Sequence, residues 1–159
     1  MDHIHITKRV SDPAFPIIAL ELDAESAQEL LSTVAEFLLR QGWVTFEFKQ
    51  ALLQRETRFP TGLQLVSGSL ALPHTDAQYC LRNGLVVVRN KSLLSFYRMD
   101  DPSQTIFTRF IVTLIIAYPD QQVKILARLS QIFADPKFVS AMNQDLTADA
   151  LARVVENLL

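Results

Sequence analysis

Ile17-Ile-Ala-Leu-Glu-Leu-Asp-Ala-Glu-Ser-Ala-Gln-Glu-Leu30 sets the architecture. Its first six residues form an apolar run of strand length. Asp23 or Ser26 then opens a helix, and Glu29, three residues after Ser26, completes a possible capping box. Ala27, Leu30, Leu31, Val34, Phe37 and Leu38 give that helix one apolar stripe, and Gly42 ends it.

The same alternation continues outward. A second helix is predicted over about Phe46–Glu56, and Gly62–Pro73 is a glycine-punctuated stretch ending in extended Ser69-Leu-Ala-Leu-Pro73. Pro73 itself biases Leu72 towards extended backbone. Leu85-Val-Val-Val-Arg89 and Phe110–Ala117 read as buried strands, with Leu93–Tyr97 as a short edge strand. Asp120 can cap a helix running to about Phe133. Asp135-Pro136 places an N-cap before proline at the first helical position, opening a short helix to about Gln144. Thr147 can cap a last helix with Leu151, Val154, Val155 and Leu158 on one face. Strands interleaved with helices predict an α/β fold: a single domain over residues 1–159, with a mixed, mostly parallel sheet covered by helices on both faces. Residues 1–16 are an N-terminal extension with no assigned role.

Composition narrows the function. The 159 residues are 49% hydrophobic and 20% charged, enough apolar material for a core and no signature of disorder. No apolar run approaches the roughly 18 residues needed to cross a bilayer, so direct membrane insertion is not expected. Residues 1–60 carry six Lys/Arg and nine Asp/Glu, and residues 61–159 carry nine and eight. Neither part has the clustered basic charge of a nucleic-acid binder. A single cysteine, Cys80, rules out an intrachain disulfide and a CxxC knuckle. The first residues lack the apolar stretch of a signal peptide, and the expected location is cytoplasmic.

Candidate chemistry centres on His74, which follows an apolar strand and a proline, at the strand end where α/β folds place ligand sites. The alternative is an incidental structural histidine. Phe48, Ala51, Leu52 and Arg55 share one helix face, so Arg55 prolongs an apolar stripe. Its guanidinium needs an anion: Glu56, a carboxylate from elsewhere, or a ligand phosphate. Otherwise it is a snorkelling arginine at a helix end. Gln122 lies at the inward edge of a first helical turn, where the plain reading is an amide that reaches water. His3 and His5 read as a solvated strand or tail edge, and no metal site or cofactor is expected. Ser67 and Ser69 flank Gly68 without forming a nucleophile elbow. Cys80 reads as a small buried side chain rather than a nucleophile.

Arg55-Glu56, Phe59-Pro60-Thr61-Gly62-Leu63 and Leu70-Ala71-Leu72-Pro73-His74 together resemble the signature of enzyme IIA domains of the fructose–mannitol family, from the bacterial phosphoenolpyruvate-dependent sugar phosphotransferase system. The arginine-to-histidine spacing is 19 residues, and Phe59-Pro60 is most similar to the galactitol branch. The resemblance implies a transferase: His74 as a phosphohistidine, loaded by the phosphocarrier HPr and unloaded onto a cysteine of enzyme IIB, with membrane enzyme IIC served indirectly. It implies Arg55 as the active-site arginine. It places Gln122 where many members carry a second histidine, leaving hydrogen bonding as its role. Thr61, Gly62 and Gln122 are expected as donors to the phosphoryl group, and Glu56 either orients Arg55 or caps backbone N–H groups. Domains of this family also act as phosphorylation-dependent regulatory interaction modules, which is the alternative function.

Overall fold

A computed structural model describes residues 5–9, 15–66 and 68–159; for residues 5–9 it describes the backbone. His3 and Ser67 lie outside the described residues, as does the side chain of His5. Among the described residues, six strands form one sheet in the order β1-β2-β5-β6-β4-β3. The strands are β1 His5–Arg9, β2 Ile17–Leu22, β3 Gly62–Leu65, β4 Gly68–Ala71, β5 Gly84–Tyr97 and β6 Thr105–Ile115. The helices are α1 Ala27–Arg40, α2 Phe48–Arg58, α3 Pro119–Ala134, α4 Pro136–Met142 and α5 Ala148–Leu158.

The sheet is mixed, as expected, but parallel pairing does not dominate it. β2 runs parallel to β5 and β4 parallel to β6, whereas β1·β2, β3·β4 and β5·β6 are antiparallel. The reason is that β3–β4 and β5–β6 are hairpins, which return the chain at once and leave no room for a crossover helix. β5 also absorbs two expected strands into one, with a register shift between Arg89 and Leu94.

Alternation along the central strands supplies two cores. Ile18, Leu20, Val86, Val88, Ile111 and Ile115 face α1 and α2, while Ile17, Ala19, Leu85, Val87, Val112 and Leu114 face α3, α4 and α5. The caps follow the sequence. Ser26 Oγ accepts from the Glu29 N–H and Glu29 reaches back to the Glu25 N–H, Asp135 accepts from Lys137, and Thr147 accepts from Ala150. Gly42 takes φ +77° just past α1, a backbone that glycine adopts without strain. Asp120 does not cap α3: Tyr118 is the N-cap, Pro119 begins the helix, and Asp120 falls in the first turn. Proline can stand there because the first helical N–H has no partner to lose.

Candidate active site

The chain leaves β4 through Leu72-Pro73-His74, and both sides of that step are tied down. The Leu114 N–H donates to the Pro73 carbonyl at 3.4 Å, fixing the segment to β6. The Gln122 side-chain amide, in the first turns of α3, donates to the Thr75 carbonyl at 3.1 Å. His74 therefore sits between two anchored carbonyls, half-buried.

Its ring carries a defined proton. His74 Nδ1 lies 2.9 Å from the Leu72 carbonyl oxygen. A carbonyl can only accept, so Nδ1 is the protonated nitrogen and Nε2 holds the lone pair. Burial pushes the imidazole below its ordinary pKa, and the positive field of Arg55 adds to that; the Leu72 carbonyl and the Asp76 carboxylate oppose it. The net direction is down, which keeps the ring neutral and nucleophilic near pH 7.

Arg55 comes from the last turns of α2. Its Nη1 is 3.2 Å from Asp76 Oδ1, and its guanidinium lies over the Phe59 ring at 4.9 Å. The anion that the apolar stripe demanded is thus a carboxylate from elsewhere in the chain. A depression of about 260 Å³ opens here, lined by Arg55, Arg58, Phe59, Thr75, Asp76 and Tyr79.

Glu56, the neighbour of Arg55 in sequence, points another way. It accepts from the Thr61 backbone N–H at 2.9 Å and from Thr61 Oγ1 at 2.7 Å. Burial raises its carboxyl to about 7, against the two Thr61 hydrogen bonds that favour the charged form. Of the two expected roles for Glu56, capping is the one formed. Thr61 is buried with both of its donors committed to Glu56, so it braces the turn between α2 and β3. Gly62 has a packing role in the same turn: a Cβ there would stand 2.5 Å from the Tyr97 carbonyl oxygen.

The structure thus brings His74, Arg55 and Gln122 to one end of β4, with Glu56, Thr61 and Gly62 as the brace behind Arg55. Cys80 is buried, its thiol pushed up to about 11, chiefly by that burial, which suits packing and not nucleophilic attack. Sequence reasoning missed Asp76 and Phe59. The signal for Asp76 was present, a carboxylate two residues after His74, but its pairing with Arg55 spans 21 positions. Among the described residues, no group of three or more His, Cys, Asp or Glu is placed to hold a metal ion, and no helix is long and apolar enough to cross a membrane.

Known proteins resemble this chain in sequence or in fold. The galactitol-specific EIIA component of Escherichia coli K12 is 29% identical over 114 residues, which is 72% of this chain and 75% of that protein. Enzyme IIAMTL of Escherichia coli, solved in complex with phosphorylated enzyme IIBMTL, superposes with a TM-score of 0.63 at 18% identity, covering 85% of this chain and 90% of that one. The nitrogen regulatory protein IIA-Ntr of Neisseria meningitidis superposes with a TM-score of 0.60 at 15% identity, covering 87% and 92%. The two structural likenesses concern the fold. The family model for the phosphoenolpyruvate-dependent sugar phosphotransferase system, EIIA 2, matches residues 17–158. With nearly the whole described chain inside that match, this protein belongs to the EIIA 2 family of the phosphoenolpyruvate-dependent sugar phosphotransferase system, whose components transfer phosphoryl groups.

Proposed function

We propose that His74 Nε2 is the phosphoryl acceptor, that HPr supplies the group, and that a cysteine of an enzyme IIB receives it. The observation that carries this reading is the 2.9 Å contact between His74 Nδ1 and the Leu72 carbonyl, which leaves Nε2 as the free nucleophile on a half-exposed ring. In the first transfer, the Nε2 lone pair forms a bond to phosphorus. The bond from phosphorus to the donor's ring nitrogen breaks, and its electron pair returns to that nitrogen. Nδ1 keeps its proton, donated in a hydrogen bond to the Leu72 carbonyl, so the phosphorylated ring is a cation. That makes Nε2 a good leaving group when a thiolate attacks: the P–N bond breaks, the pair returns to Nε2, and the neutral ring is restored.

The protein's part in such a transfer is positioning and charge neutralisation. Arg55 has the planar fork to take two phosphoryl oxygens. Gln122 fixes the backbone that carries His74. Glu56, Thr61 and Gly62 hold the end of α2, and hence Arg55, in register with β4. The 29% identity to a galactitol-specific component supports galactitol or a related sugar as the one transported; HPr and enzyme IIB as partners make the cytoplasm its place of work.

Phosphoenolpyruvate, enzyme I and HPr should together add one acid-labile phosphate to the protein. His74→Ala should abolish it, while His3→Ala and His5→Ala should retain it. Labelling that survives in His74→Ala would remove the assignment. Labelling of His74 without onward transfer to a galactitol-type enzyme IIB would favour the regulatory alternative over transport.

A further inference from the structure

Asp76 stands two residues after the acceptor histidine, and its negative charge acts on that ring. It stands at the N-cap of the short 3-10 turn Ala77–Tyr79, yet its side chain makes no capping hydrogen bond. It turns instead to Arg55, with a single oxygen on a single Nη nitrogen at 3.2 Å. The contact is solvated, with 37% of the Arg55 side chain and 62% of the Asp76 side chain exposed. Exposed pairs of this kind hold weakly. A dianionic phosphoryl group, able to bind the guanidinium through two oxygens, is the stronger ligand. The Phe59 ring under the guanidinium supports it whichever anion it holds. Arg58, three residues further along α2, lines the same depression and can take the released carboxylate.

We infer that Asp76 is a displaceable counter-ion: it occupies Arg55 while His74 is empty, gives way to the phosphoryl group, and by its remaining charge keeps the phosphohistidine ready to leave. Asp76 is then a positioning residue that sets the transfer equilibrium through Arg55, and this rests on the carrier reading above. A carrier must release what it accepts. An arginine that bound phosphate with no competitor would hold the group too well. The nearby negative charge offsets part of that attraction, since two like charges a few ångströms apart at a protein surface still repel appreciably.

The test is the equilibrium constant for phosphoryl exchange between HPr and this protein, approached from both directions and read by 31P NMR. Asp76→Asn should shift it towards phosphorylated His74 by about three- to tenfold. Asp76→Glu, which keeps the charge, should stay within about twofold of wild type. An equilibrium constant counts only competent molecules, so partial misfolding of a variant does not imitate the shift. An unchanged constant in Asp76→Asn would overturn the proposal, and so would a shift in the opposite direction, which would make Asp76 a mere orienter of the guanidinium. If wild type takes no phosphate on His74, the carrier reading itself has failed, a result distinct from either.

Discussion

One nitrogen of His74 is committed to the Leu72 carbonyl and the other has no partner among the described residues, so the chemistry of the residue is decided by where its single ring proton sits. The proposed phosphoryl acceptance requires the neutral ring, and the burial that lowers its pKa would move the acid limit of activity with it. The charged groups acting on the ring are Arg55 from α2, which lowers the pKa, and Asp76 beyond the strand end, which raises it. The rate of phosphoryl acceptance from HPr should hold on the alkaline side and decline only at a pH below the ~6.5 of an ordinary imidazole. An NMR titration of His74 in the free protein should give the same midpoint. A midpoint above 6.5 would mean that the carbonyl and Asp76 outweigh burial. His74 and Arg55 could be read in the sequence because each breaks a local pattern: a histidine closing a strand, an arginine prolonging an apolar stripe. Thr61 could not. Its hydroxyl and N–H look like ready donors until Glu56 is seen accepting from both, an arrangement set by how the chain turns after α2.

Elements were legible where one period ran unbroken. β2 spans the expected Ile17–Leu22, and α1, α4 and α5 begin at the expected caps. β5 was not legible as one strand, because Asn90-Lys91-Ser92 reads as a polar break. In the fold Asn90 is fully buried: its side chain accepts from the Ala24 N–H at 2.7 Å and donates to the Ala24 and Ser92 carbonyls. A buried amide satisfied by backbone can sit inside a strand, but its partner lies 66 residues away. The hairpin preference that makes the sheet less parallel than expected was hidden likewise, since strand length and apolarity do not state direction. Gly62 gives an element-scale prediction. Replacing glycine by alanine in extended backbone ordinarily stabilises by about 0.4–1 kcal/mol through the unfolded chain. Here the added Cβ would meet the Tyr97 carbonyl oxygen at 2.5 Å and the Ile106 side chain at 2.9 Å. Since the first obstacle is backbone, the turn that braces Arg55 must shift. Gly62→Ala should therefore destabilise by about 1–3 kcal/mol, read as a lower urea midpoint at unchanged slope. A neutral or stabilising result would show that β3 and the end of β5 can separate freely.

At the scale of the whole molecule the described residues form one sheet with two apolar layers, and the question is whether the layers stand or fall together. Trp43, the only tryptophan, is buried in the layer formed with α1 and α2. Leu151, in α5, is buried in the opposite layer. No contact between them is needed for coupling, because β2, β5 and β6 contribute alternate residues to both layers, and a strand cannot lose one face and keep its pairing on the other. Leu151→Ala should cost about 2–4 kcal/mol. It should move the urea midpoint of Trp43 fluorescence by as much as that of far-ultraviolet circular dichroism, as two-state unfolding requires. At 25 °C without denaturant, the variant should still take one phosphate on His74, since the site is anchored by β4, β6 and the first turns of α3 and not by α5. A tryptophan transition that stays put while the circular dichroism shifts would mean that the α3–α5 layer unfolds alone. The end of β4 would then lose its α3 anchor at Thr75, while the β6 anchor at Pro73 and the bond from the Leu72 N–H to the Thr61 carbonyl held.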